Sequence, residues 1–163
     1  MGAMRADACT MVWLGTLHAR VEGCELLASH NWGELVRVPT SRSWTFTFLT
    51  PATFRSGNHA SPLPSPGGLV RSPSDAWAKF GPDPAPRIVG TEHEGLWFSD
   101  ADVHTVGYEI GHQLFRGALG NLTLVCGEAD VARKVSRLAA LAVYSGVGSF
   151  RGKGMGIVQV VST

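Results

Sequence analysis

Seven of the chain's nine prolines fall between residues 62 and 86. Proline fixes φ and lacks an amide donor, so this stretch can hold neither a central strand nor a long helix. Regular structure is therefore expected on either side, with a loop between. Inside the loop one short helix is predicted: Ser72 caps it, Pro73 takes the first helical position, and Asp75 sits in the first turn. Trp77 and Phe80 then share a face, and Gly81 stops the helix.

Upstream, Trp44, Phe46 and Phe48 alternate with threonines, the period of a half-buried strand, which Thr50-Pro51 ends. Residues 12–21 read as another strand, less cleanly patterned. Downstream, residues 95–98 and 105–126 are strand material, with glycines at 107, 111, 117 and 120 permitting bends or bulges. Asp130 to Tyr144 carries the clearest helical pattern. Val131, Val135, Leu138 and Ala142 form one face, with Arg133, Lys134 and Arg137 opposite. Residues 157–161 close the chain as an apolar strand. From residue 44 the order is thus strand, helix, strand pair, helix, strand. That is an α+β, ferredoxin-like βαββαβ plan, an antiparallel sheet with two helices on one face, shared with RNA-recognition folds. Residues 44–163 are read as this domain. Residues 1–43 are an N-terminal strand extension or the remnant of a preceding lobe.

Of the 163 residues, 44% are hydrophobic and 17% charged, a globular composition that argues against disorder. The net charge of +1 means that any nucleic-acid contact has to come from local clustering of cations. Cys9, Cys24 and Cys126 are odd in number with no C-x-x-C spacing, which argues against a disulfide framework or zinc site. Reduced thiols in a cytoplasmic protein are expected. No apolar run has the length of a signal peptide's core or a membrane span, so no membrane association is expected.

The run from Gly146 to Gly156 holds glycines at 146, 148, 152, 154 and 156, with Arg151 and Lys153 interleaved. Glycine lets backbone approach a ligand closely, and backbone donors with adjacent cations suit a phosphate chain. A tight helix-to-strand connection needing positive φ explains the glycines equally well. The run is not a Walker A loop: Val147 stands where the first glycine belongs, and the run follows a helix rather than a strand. It does not fit a dinucleotide fingerprint either, and no cofactor is expected. Arg133, Lys134 and Arg137 read either as the solvated face of an amphipathic helix or as phosphate contacts lining one groove with the loop. The histidines (18, 30, 59, 93, 104 and 112) make no H-E-x-x-H pair or other recognised ligand spacing. Each is read as a surface or hydrogen-bonded residue. No G-x-S-x-G elbow accompanies them, and no catalytic residue is assigned.

The segment Trp44-Thr-Phe-Thr-Phe-Leu-Thr-Pro-Ala-Thr-Phe-Arg55, together with Leu141-Ala-Val-Tyr-Ser-Gly-Val-Gly-Ser-Phe-Arg-Gly-Lys-Gly-Met-Gly156, resembles the CRISPR-associated protein six family of RAMP endoribonucleases. Phe115-Arg-Gly-Ala-Leu-Gly-Asn-Leu122 is similar to the glycine-containing hairpin that precedes the family's last helix. The resemblance covers residues 44–161. It implies repeat-RNA processing by two ferredoxin-like lobes, the C-terminal one gripping RNA with the glycine loop. Cleavage in the family is metal-independent: the ribose 2′-hydroxyl attacks the adjacent phosphate, helped by a histidine usually carried on the N-terminal lobe. The 43 residues before Trp44 are short for such a lobe. His18 and His30 match no catalytic position, so that role is not transferred to them. The implied ligand is precursor CRISPR repeat RNA. Gly148, Arg151, Gly152, Lys153 and Gly154 form the contacting loop, Arg133, Lys134 and Arg137 are secondary contacts, and Arg55 and Arg116 are weaker candidates. Two alternatives stay open: a complete compact ribonuclease, and a non-catalytic module docking with other CRISPR effector subunits. An apolar patch for docking would also favour a homodimer.

Overall fold

The computed structural model describes residues 11–14, 17–20 and 29–163. Cys9 and Cys24 lie outside them, as does the side chain of His18. The chain divides into two compact units, residues 1–31 and 32–163. In the first, Met11–Leu14 (β1) pairs antiparallel with Leu17–Arg20 (β2), so the single strand expected over 12–21 is a hairpin.

The second unit holds a helix Trp32–Val36 (α1), strands Ser43–Ala52 (β3), Phe54–Ser56 (β4) and His59–Ser61 (β5), and helix Pro66–Phe80 (α2). Strands Leu96–Ile110 (β6) and Gln113–Cys126 (β7), helix Ala129–Ser145 (α3) and strand Val158–Ser162 (β8) follow. The four-stranded sheet has the order β6-β7-β3-β8, antiparallel throughout. A central first strand flanked by the third and fourth is the ferredoxin-like order. It follows from alternation on β3: Trp44, Phe46 and Phe48 are buried and pack with Leu122, Leu124 and Val158 from the neighbouring strands. The helices cover the same face, α3 through Val131, Val135, Leu138 and Ala142, and α2 through Leu69 and Val70. On the opposite face Thr45 shares a hydrogen bond of 3.0 Å with Thr123, and Thr47 donates to Asn121 at 2.7 Å.

Two sequence expectations are corrected. The helix placed at residues 72–81 begins at Pro66, with Ser65 accepting from the Gly68 amide at 3.0 Å and Pro73 inside it. Ser65-Pro66 is the same start signal one segment earlier. The Gly-Gly pair that follows disfavours helix locally, but burial of Leu69 and Val70 overrides it. The two strand segments at 95–98 and 105–126 are one long hairpin, turning at Gly111 with φ +64°. Its polar middle, residues 99–104, is strand because pairing with β7 imposes it, with a bulge between Phe98 and Asp100. Leu35 of α1 joins Trp77 and Leu141 in a second buried cluster. Trp32 meets Trp77 edge-on at 5.3 Å there. Cys126 is a buried free thiol, and burial pushes its pKa up. Among the described residues no helix is long and apolar enough to cross a membrane.

Candidate nucleic-acid interface

The glycine run lies between α3 and β8, and its hydrogen bonds go to the end of β3 and the residue after it. The Ser149 amide donates to the Thr53 carbonyl at 2.7 Å, and the Gly156 amide to that of Pro51 at 3.1 Å. Val147 N–H closes back onto the Gly156 carbonyl at 2.8 Å. From the other side, the Ser72 hydroxyl of α2 donates to the Gly148 carbonyl at 3.1 Å. The loop is thus pinned to two segments, residues 51–53 and α2, and closed on itself.

Two different reasons account for its glycines. A Cβ at Gly156 would overlap the Val147 carbonyl, and one at Gly148 would press on the carbonyl of Thr53. Both residues also have positive φ, +68° and +74°. These glycines serve the fold. Gly152 and Gly154 face open space, where a Cβ would meet nothing within 4 Å. Gly154 has φ +80°, but the φ of Gly152 lies outside the left-handed region. Nothing inside the fold requires glycine at 152.

Beside the loop runs a groove of about 1200 Å³, bounded by β4, the first half of α2, the segment before β6, and Gly148, Ser149 and Arg151. Four arginines line it, Arg55, Arg71, Arg87 and Arg151, against the one carboxylate of Asp75. Arg151 is held by carbonyls of Ser145 at 3.3 Å and Ser72 at 3.5 Å, which fixes its guanidinium over the end of α3. His93 also lines the groove, and its imidazole lies so close to the first turn of α2 that a Cβ at Gly67 would overlap it. Lys153 is exposed in the single 3-10 turn of residues 151–153. Among the described residues no group of three or more His, Cys, Asp or Glu could hold a metal ion.

The structure therefore brings Gly148 and Arg151 together with Arg55, which the sequence offered only as a weaker candidate. It does not bring the basic face of α3 into the groove. Arg133 pairs with Asp130 at 3.2 Å, Lys134 with Glu92 at 2.5 Å, and the Arg137 Nε–H donates to the Val36 carbonyl at 3.0 Å. The Lys134 hydrogen bond, with a further one from the Val89 amide, holds the Glu92 carboxyl below its usual range. Arg116 is exposed on β7, outside the groove. Sequence reasoning missed Arg71, Arg87 and His93. They come from three segments with no common spacing, so only the tertiary fold assembles them.

Comparison with known proteins points the same way. The family model of the CRISPR-associated endoribonuclease Cas6 matches residues 46–158. The structure of Thermus thermophilus Cas6 (TTHB231) is 29% identical over 81% of this chain, with a TM-score of 0.71. A product complex of Cas6 (TTHA0078) is 25% identical over 93%, with a TM-score of 0.78. A RAMP protein binding different RNA substrates shares the fold, at 14% identity over 93% of this chain and 59% of its own, with a TM-score of 0.54. The chain spans 58% of the length of the TTHB231 structure and 66% of the TTHA0078 one. A comparison with curated proteins finds no match. The stretch matched by the family begins within the aromatic strand and ends in the strand after the glycine loop, and so takes in all but the first two residues of the segments that first suggested it: the chain belongs to the Cas6 family of CRISPR-associated endoribonucleases.

Proposed function

We propose that this chain binds CRISPR repeat RNA as the C-terminal, RNA-gripping domain of a precursor-RNA processing endoribonuclease. The glycine loop offers backbone to the phosphate chain at Gly148, Gly152 and Gly154, and Arg151 and Lys153 supply charge on either side of Gly152. Arg55, Arg71 and Arg87 extend the positive surface along the groove. Arg133, Lys134 and Arg137, expected as secondary contacts, are paired on α3 outside the groove, and the reading does not rest on them. The observation that carries this reading is Gly152, a glycine with open space above it and no conformational need, set between Lys153 and Arg151, the latter lining the groove with three further arginines. Exposed backbone flanked by cations is what a phosphate chain selects for. The family's cleavage needs the ribose 2′-hydroxyl, so RNA rather than DNA is the ligand.

Gly152→Val tests it. A Cβ there meets no atom within 4 Å, so the melting temperature should stay within a degree or two. Repeat-RNA affinity should fall about tenfold, the loss of roughly 1.4 kcal/mol of contact. A variant that binds as tightly as the parent removes the loop from the interface.

A second reading, docking against another CRISPR subunit or a second copy, is favoured by Trp97 and Val161. Both stand on the helix-free face of the sheet, at 49% and 62% exposure. It requires a stable complex in the absence of RNA, which sedimentation of the purified protein would reveal.

A further inference from the structure

Three aromatic rings line up beside the glycine loop and belong to neither buried cluster. Tyr108 stacks on its cross-strand partner Phe115 at 5.9 Å and 27°, and Phe115 meets Phe150 at 4.6 Å and 56°. All three are partly exposed. We propose that this row is a stacking platform for an unpaired base of the bound RNA, entered at its Phe150 end. The proposal rests on the RNA reading above and adds to it where a base, as distinct from a phosphate, is held.

The backbone of Phe150 is the first reason. Among the described residues it is the one residue other than glycine with positive φ, at φ 60° and ψ 24°. That conformation is unfavourable for a bulky side chain, and glycine or asparagine would make the same turn without strain. The turn alone does not explain a phenylalanine here. Core packing does not explain it either, because the ring joins neither cluster. What the strain achieves is to send the ring of residue 150 toward the hairpin while Arg151, the next residue, reaches the groove. Strain kept at one partly exposed position points toward a functional contact.

The anchoring of the row is the second reason. The Tyr108 hydroxyl shares a hydrogen bond of 2.7 Å with Thr53 Oγ1, and the Thr53 carbonyl accepts the Ser149 amide at 2.7 Å. Thr53 is fully buried, so hairpin and loop are locked to one post and the rings keep their spacing. Gly117 adds to this: a Cβ there would lie 2.8 Å from Pro51 Cβ and 3.0 Å from Tyr108 Cε1, so glycine lets Pro51 and that ring both lie close to the strand. The third reason is the order of residues. Arg151 follows Phe150 directly and lines the groove. Rings for bases alternating with cations for phosphates is how proteins hold single-stranded nucleic acid, and a base must be unpaired to stack on a side chain.

The test is an abasic scan of the source's own repeat RNA, 5′-labelled, against the full chain and against Phe150→Gly. That variant removes the ring and relieves the backbone, so it is expected to fold. For the parent, one abasic position should weaken binding about tenfold, in the range that one stacked base contributes. For Phe150→Gly the same position should have no further effect. A 2-aminopurine placed there should lose fluorescence when the parent binds, a readout that does not depend on the variant folding. A flat scan with unquenched 2-aminopurine, while salt-sensitive binding persists, overturns the platform and leaves the RNA reading standing. An abasic penalty undiminished in Phe150→Gly also overturns it. Absence of any RNA binding by the parent overturns both.

Discussion

Gly156→Ala is expected to destabilise the protein by about 3 kcal/mol, at the upper end of ordinary single substitutions. Three effects combine. The residue sits at φ +68°, where an L side chain is strained. A Cβ would overlap the Val147 carbonyl, which is backbone and cannot rotate away. Any shift that relieves the overlap disturbs the 2.8 Å bond from the Val147 amide and the 3.1 Å bond to Pro51, the pair that closes the loop onto β3. Val147 is itself fully buried, so displacing it also opens the core beside Ala142 and Val158. Urea denaturation measures the loss. Gly152→Ala is the control and should fall within about 0.5 kcal/mol of the parent, as surface changes do. Equal losses at 152 and 156 would mean that the two glycines serve the fold alike, and the distinction on which the functional reading rests would be gone.

The second large effect is on binding. Arg151→Ala with Lys153→Ala should weaken repeat-RNA affinity roughly ten- to a hundredfold near physiological salt. The slope of log affinity against log salt should become shallower by about 1 to 2, because two phosphate contacts no longer release counterions. The loss should be uniform across RNA sequences, since phosphates carry no sequence. Arg151 also satisfies the Ser72 and Ser145 carbonyls, so Lys153→Ala alone separates charge from structure. It should give about half the change in slope at unchanged stability. Removing Arg55, Arg71 and Arg87 in turn should continue the series. An unchanged slope in the double variant would show that the loop cations do not meet phosphates.

Much of the fold was legible in the sequence because one hydrophobic period dominates each main element. Trp44, Phe46 and Phe48 fix the inner face of the central strand, and Val131, Val135, Leu138 and Ala142 that of the last helix. Where local chemistry and tertiary packing disagree, the sequence misled. Pro66-Gly-Gly68 looks like a turn and is the start of a helix, and Pro73 lies inside that helix instead of opening it. The middle of β6, Ser99-Asp-Ala-Asp-Val-His104, alternates only through Ala101 and Val103 among poor strand formers, and it is the pairing with β7 that holds it extended. The candidate site was half visible. Glycines spaced by cations stand out within one short run, whereas a groove assembled from Arg55, Arg71, Arg87 and Arg151 leaves no local trace. Nor can a sequence separate Gly156, which the Val147 carbonyl requires, from Gly152, which faces open space.

The most direct measurement is titration of the full chain with labelled CRISPR repeat RNA from its own source, in EDTA, at several salt concentrations, with each sample run on both native and denaturing gels. The account expects a retarded complex whose affinity falls steeply with salt, with the RNA intact on the denaturing gel. Failure to retard the repeat even at low salt would contradict the RNA-gripping role. Cutting at a single position would contradict the assignment of this chain to gripping alone and direct attention to its histidines, beginning with His93 in the groove.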